Sequence, residues 1–165
     1  MVPLRPGKSW MPKNKEDSLG YWCAMAGQQY LLAMRRMLVP QGLDRWFYIL
    51  VHLADAQAPL SQQQLADELS LDKATMVRAI DHLSAEGYVA RRPCPNDRRK
   101  HHLELLPKAR PLVRSIRRSY SSLNSIALDG MPAAERWAAI QEVKYMVERL
   151  KKANSSTKTN PSSTR

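Results

Sequence analysis

The sequence is short of cysteine, of acidic residues and of uninterrupted apolar stretches, and each shortage removes a class of protein. Cys23 and Cys94 are the only two cysteines among 165 residues. They stand far apart and in no C-x-x-C or Cys/His spacing, so neither a disulfide framework nor a zinc site is readable, and a reducing cytoplasm is the expected setting. No apolar run approaches the roughly 18 residues a spanning helix needs. Residues 1–17 carry prolines, lysines and an arginine where a secretory signal would carry an apolar centre. Neither export nor a membrane partner is therefore expected. A Gly-rich phosphate loop, a cluster of metal ligands and a Ser, His and acid set are all missing as well. The chain is read as non-enzymatic, with no metal and no cofactor.

What is plentiful is positive charge. Lys and Arg number 26 against 15 Asp and Glu, a net charge of +11 with a pI near 10.0. Such an excess says nothing about fold but narrows the partners to nucleic acid or another anionic surface. The charge is densest in "YVARRPCPNDRRKHHLEL", residues 88–105, where Arg91, Arg92, Arg98, Arg99 and Lys100 surround two prolines and an Asn-Asp pair. Self-repulsion at what reads as a hairpin tip is unfavourable, so these groups are expected to face something negative outside the protein. With 44% hydrophobic residues, the chain can bury one compact core.

Apolar residues at Leu19, Trp22, Ala26, Tyr30, Ala33 and Met37 mark a helix over about 18–38, broken by Pro40 and Gly42. The same rhythm resumes from Trp46 through Leu53 to Ala58. Ser61 with Gln64 three residues on is a capping box, which opens a third helix over about 61–69. Only Ser70 and Leu71 separate it from Asp72, an N-cap, after which Met76, Val77, Ile80 and Leu83 carry a stripe to Gly87, where a left-handed cap is expected. Two helices joined so tightly must cross steeply, the helix-turn-helix arrangement. A period of two then takes over through Tyr88 to Ala90 and Leu103 to Leu105, a two-stranded hairpin. Helices over about 107–128 and 132–152 follow. Residues 153–165, mostly polar, are expected to be a disordered tail, and 1–17 a flexible arm.

The fold class expected is thus mainly α with a small β-wing: a winged helix-turn-helix over about 43–106, inside a single domain 18–152 whose outer helices, 18–38 and 107–152, present apolar stripes that need a partner surface. The stretch from Gly42 to Leu105 resembles the MarR/SlyA family of transcriptional regulators. The resemblance rests on L-x-x-x-L at Leu65 and Leu69, T-M-V-R-A-I-D-x-L from Thr75, G-Y-V-x-R from Gly87, and N-D-R-R from Asn96. One departure is that Leu105 and Leu106 stand where the family has Leu-Thr, which removes a cap oxygen from the next helix, and Ala109 replaces a common glycine.

The resemblance implies a cytoplasmic homodimer bound to double-stranded DNA across a pseudo-palindromic operator, acting as a repressor. The fourth helix would enter the major groove with Lys73, Thr75, Arg78 and His82 outward; Arg78 has the fork to take the O6 and N7 of guanine. Ser61, Gln62, Gln63 and Thr75 can donate to phosphates. At the wing tip Arg99 is the residue expected in the narrow minor groove. By the same likeness Asp97 holds an arginine in place, and Arg98 and Lys100 meet the backbone, while Arg91 and Arg92 read as solvated. A small lipophilic or phenolic effector between the outer helices and the winged domain would meet Trp22, Tyr30, Trp46 and His52. Two other readings stay open: a redox sensor using Cys23 or Cys94, and a winged-helix module that docks protein or RNA. Cys23, with no basic neighbour, reads as buried and inert; Cys94, on the basic wing, as exposed.

Overall fold

The computed structural model describes residues 11–43, 45–94 and 97–157, with the backbone alone for 97–100 and 155–157. The chain divides into two compact units, Met1–Arg45 and Trp46–Arg165. In the first, Asn14 caps a 3-10 turn over Lys15–Asp17 by accepting from the amides of Glu16 and Asp17. Part of the stretch expected as a loose arm is therefore ordered. Ser18 caps helix α1, Leu19–Leu38, by accepting from Tyr21 N at 3.2 Å. The helix stops where Pro40 enters a second 3-10 turn and Gly42 turns left-handed at φ 77°.

The second unit holds helix α2 (Phe47–Asp55), strand β1 (Leu60–Ser61), helices α3 (Gln62–Glu68) and α4 (Lys73–Ala85), strands β2 (Val89–Cys94) and β3 (Asp97–Leu105), and helices α5 (Ala109–Ala127) and α6 (Ala133–Thr157). The wing has a third strand beyond the two that the sequence pattern predicts. The sheet runs β1-β3-β2, fully antiparallel, with Leu60 opposite Leu103 and Val89 opposite Leu105. Helix α2 ends at Asp55, earlier than expected, and α6 continues to Thr157, past the expected end at 152. The first residues of the expected tail are thus helical; residues 158–165 lie outside the described residues. Side chains from every layer of the winged part are buried: Ile49 and Leu50 of α2, Leu65 of α3, Met76, Ile80 and Leu83 of α4, Val89 of β2, and Ile116 of α5. Burying each such side chain is worth about 1.5–3 kcal/mol against leaving it in water.

Both helices of the helix-turn-helix end in the same hydrogen-bonded closure. After α4, Gly87 is left-handed (φ 73°), and the amides of Gly87 and Tyr88 donate to Ser84 O and Leu83 O at 3.0 and 2.9 Å. After α3, Ser70 takes the same place at φ 54°, and the amides of Ser70 and Leu71 donate to Asp67 O and Ala66 O at 3.2 and 2.9 Å. This is the Schellman arrangement, which satisfies two carbonyls that a helix end leaves orphaned and reverses the chain at once. Glycine adopts that backbone freely, whereas a residue with a Cβ is strained there.

The start of α5 confirms the departure noted above. Lys108 sits at its N-cap with no side-chain cap bond. The junction is held differently: Lys108 Nζ donates to Glu86 O at 2.6 Å and lies 5.0 Å from the Tyr88 ring centroid. A cation on the last carbonyls of α4 also suits the negative end of that helix.

Replacing Ser70 with glycine removes the left-handed strain while adding some backbone entropy to the unfolded chain. Ser70→Gly is expected to raise stability by about 0.5–1 kcal/mol in urea unfolding, with an unchanged denaturant slope. A destabilised variant would contradict the closure described.

Candidate nucleic-acid interface

The face of α4 opposite its buried stripe carries Lys73, Ala74, Arg78 and Asp81, all exposed, with Thr75 and His82 half-buried at its margins. Burial of Met76, Ala79, Ile80 and Leu83 at three- and four-residue spacings fixes which way the others point. Arg78 is therefore presented outward.

The N-terminal turn of α4 is wired to that arginine. Asp72 accepts from Thr75 N at 2.8 Å as the helix cap, and its second oxygen accepts from the Thr75 hydroxyl at 2.7 Å. Thr75 Oγ1 in turn accepts from Arg78 Nη2 at 3.0 Å. A hydroxyl has one proton and two lone pairs, so these roles are mutually consistent. The Thr75 hydroxyl bond, then the Thr75 amide bond, and last the charge of Arg78 hold the Asp72 carboxyl below its ordinary 3.8. Thr75 thus parks Arg78 near the helix N-terminus and occupies its own proton with Asp72.

Around α3 the expected phosphate donors divide. The capping box is complete, Gln64 N donating to Ser61 Oγ at 3.2 Å and Ser61 N to Gln64 Oε1 at 2.9 Å. Gln63 Nε2 donates within its helix to Asp67 at 2.9 Å. Gln62 faces the wing, accepting from Arg91 Nε and Nη2 at 3.2 and 3.1 Å. Arg91 and Arg92, which by sequence read as solvated, are both paired. Arg91 Nη2 lies 2.6 Å from Asp81 Oδ1, and Arg92 Nε 2.5 Å from Glu104 Oε2 across the strands. Local sequence could not reveal these partners, which come together only when β2 lies beside α4 and β3. The backbone of Asp97, Arg98, Arg99 and Lys100 runs in β3, and their side chains lie outside the described residues.

The expected effector residues are divided between the two units. Trp22 is exposed on α1, edge-on to Tyr21 at 5.2 Å, its Nε1 donating to Glu16 O at 3.2 Å. Tyr30 is half-buried on the same helix, and burial raises its phenol pKa. Both belong to the first unit. In the second unit, Trp46 holds the N-cap of α2 with a left-handed backbone (φ 63°). His52 Nε2 lies 2.5 Å from Glu68 Oε2 and lines a cleft of about 430 Å³ with Tyr48, Val51, Asp55, Leu69 and Tyr120. Tyr48, which no sequence signal singles out, also has its phenol pKa raised by burial. The thiols reverse expectation: Cys23 is exposed, and Cys94 is half-buried with its Sγ 3.9 Å from His102 Nδ1. Cys23 shares the exposed first turns of α1 with Leu19 and Trp22, and Cys94 lies beside His102 of β3. Among the described residues no group of three or more His, Cys, Asp or Glu side chains could hold a metal, and no helix is long and apolar enough to cross a membrane.

The model of the MarR family matches residues 43–100, the span from just before α2 to the wing tip. Among solved structures, a MarR family regulator from Listeria monocytogenes complexed with a 26mer DNA is similar over 90% of this chain and 99% of its own, at TM-score 0.79 and 21% identity. A MarR transcriptional regulator from Methanosarcina mazei is 25% identical, with TM-score 0.75, over 82% of this chain and 97% of its own. CouR from Rhodococcus jostii, bound to p-coumaroyl-CoA, is 20% identical, with TM-score 0.71, over 93% and 100%.

The Asp72 shift has a sign. Because its folded pKa lies below the ordinary 3.8, the stabilisation it gives is fully present above that value and is lost as pH falls through the folded pKa. In a carbon-detected NMR titration, the Asp72 carboxyl is expected to titrate below 3.8, and the Thr75 amide resonance to move with it. An Asp72→Asn variant keeps the acceptor and should lose that acid-range dependence.

Proposed function

We propose that the chain is a transcriptional regulator of the MarR family, whose model matches residues 43–100, and that it is a repressor that binds a pseudo-palindromic operator in duplex DNA as a homodimer. The observation that carries this reading is Arg78, exposed on α4 and tethered beside the N-terminus of that helix through Thr75 and Asp72. Helix α4, 13 residues long, is slim enough for a major groove about 12 Å wide. Leaving Thr75 for a guanine edge exchanges one hydrogen bond for two. Lys73 and the phosphate donors of α3 fix register, and Arg99 enters the adjacent minor groove with Arg98 and Lys100 on the backbone, posed by Asp97.

The homodimer is supported by α6, which leaves Trp137, Ile140, Val143, Val147 and Leu150 exposed at spacings of three and four. An apolar stripe of that length in water marks an association surface. Two-fold pairing through it sets half-sites about one helical turn apart. A small lipophilic or phenolic effector that releases the DNA is supported by the aromatic cleft at Tyr48, His52 and Tyr120.

Gel-shift titration on a duplex selected from random-sequence DNA tests the reading. Arg78→Ala and Arg99→Ala are each expected to weaken binding by about 1–3 kcal/mol, with Arg78→Ala also relaxing the preference for guanine at one position per half-site. Sedimentation should show the same oligomer for both variants as for the parent. Undiminished affinity in both would remove α4 and the wing as the reading elements.

A further inference from the structure

One guanidinium ties the wing to the helix-turn-helix. Arg91, on β2, gives two hydrogen bonds to Gln62 Oε1 at the first turn of α3, and Nη2 also lies 2.6 Å from Asp81 Oδ1 on α4. A guanidinium donates and cannot accept, so the amide oxygen of Gln62 must be the atom facing it. The oxygen-or-nitrogen choice that an isolated amide leaves open is settled here by the partner. Gln62 Nε2 is thereby turned away from Arg91, and among the described residues no acceptor takes its protons. Gln63, one residue on, is differently employed, its nitrogen donating to Asp67. Asp81 meanwhile matches the charge of Arg91, which leaves that residue poorly suited to neutralise a phosphate itself.

We propose that Arg91 is a positioning residue: clamped by Asp81, it orients the Gln62 amide so that its N–H donors meet a DNA phosphate, and it acts through Gln62 without touching the DNA. The proposal rests on the DNA-binding reading and assigns a role within it. A glutamine side chain free in water loses rotamer freedom when it binds; one already fixed by two hydrogen bonds has lost it on folding, which favours the bound state. The same link makes the wing strand, α3 and α4 one rigid unit at the surface that meets DNA.

A double-mutant cycle separates this from the alternatives. Affinity of the full-length protein for the selected duplex is measured by fluorescence anisotropy across a range of NaCl for the parent, Gln62→Ala, Arg91→Ala and the double variant, with circular dichroism as the check on folding. Each single change is expected to weaken binding about 5- to 10-fold, and the double variant is expected to be no weaker than Arg91→Ala alone. The slope of log affinity against log salt should stay at the parent value in all four. If Arg91 met a phosphate itself, its removal would make that slope shallower by about 0.9 for each phosphate left unneutralised, and its effect would multiply with that of Gln62→Ala; either result overturns the proposal. Should Arg91→Ala fail to fold, Arg91→Met serves in its place, because it keeps the apolar stem but carries no N–H donor for either the amide or the carboxylate, and the same coupling and slope are expected. A parent protein that selects no duplex would remove the DNA-binding reading, and this proposal with it. A parent that binds tightly with independent losses would remove the positioning role alone.

Discussion

The arrangement of the exposed face of α4 depends on one left-handed residue, Ser70. Four residues, 69–72, join α3 to α4, and a chain can reverse in so short a span only if one of them leaves the right-handed region and hands its amide back to the helix it has just left. Everything downstream is referred to that turn. Asp72 can cap α4 because Leu71 has already redirected the backbone; Thr75 can reach Asp72 because the cap is formed; and Arg78, turned outward by the buried stripe, is held towards the helix N-terminus because Thr75 accepts from it. A looser turn would leave the same side chains present and aimed elsewhere.

How much of this was legible in the sequence follows from the range of each interaction. The capping box at Ser61 and Gln64, the cap at Asp72 and the left-handed Gly87 all depend on partners within four residues, and the structure has them where the sequence places them. The unusual start of α5 was legible for the same reason, since a missing cap oxygen is a local fact. Strand β1 was not: two residues show no period, and Leu60 becomes a strand only through Leu103, far along the chain. The pairing of Arg91 with Gln62 and Asp81 was hidden likewise, because charge in a sequence carries no address. Helix α6 outran its expected end because its last turns are polar, and an apolar rhythm says nothing about a helix that continues without burying a face.

The family match refines the electrostatic reading of the wing without replacing it. A count of basic residues from 88 to 100 treats them as equivalent, but Arg91 and Arg92 have carboxylate partners at 2.6 and 2.5 Å. Exposed pairs of this kind contribute little to stability, on the order of 0–1 kcal/mol, so their value lies in orientation. They offset charge at the base of the wing, Arg91 against α4 and Arg92 against the neighbouring strand. The nature of the interface is thus set by which guanidinium groups are already satisfied as much as by how many there are.

Among the described residues, the strand order β1-β3-β2 leaves β2 with a strand on one side only. Any open strand offers a ladder of amides and carbonyls to a passing chain, and a flat one is a nucleus for aggregation. Here that rim carries Arg91, Arg92 and Pro93, with the ladder slipping at Pro93 and Cys94. Charge repels a second rim of the same kind, proline withholds a donor, and the irregularity spoils the register an incoming strand would need. By the same residues a solvent-facing strand edge is kept from adding a second copy of itself.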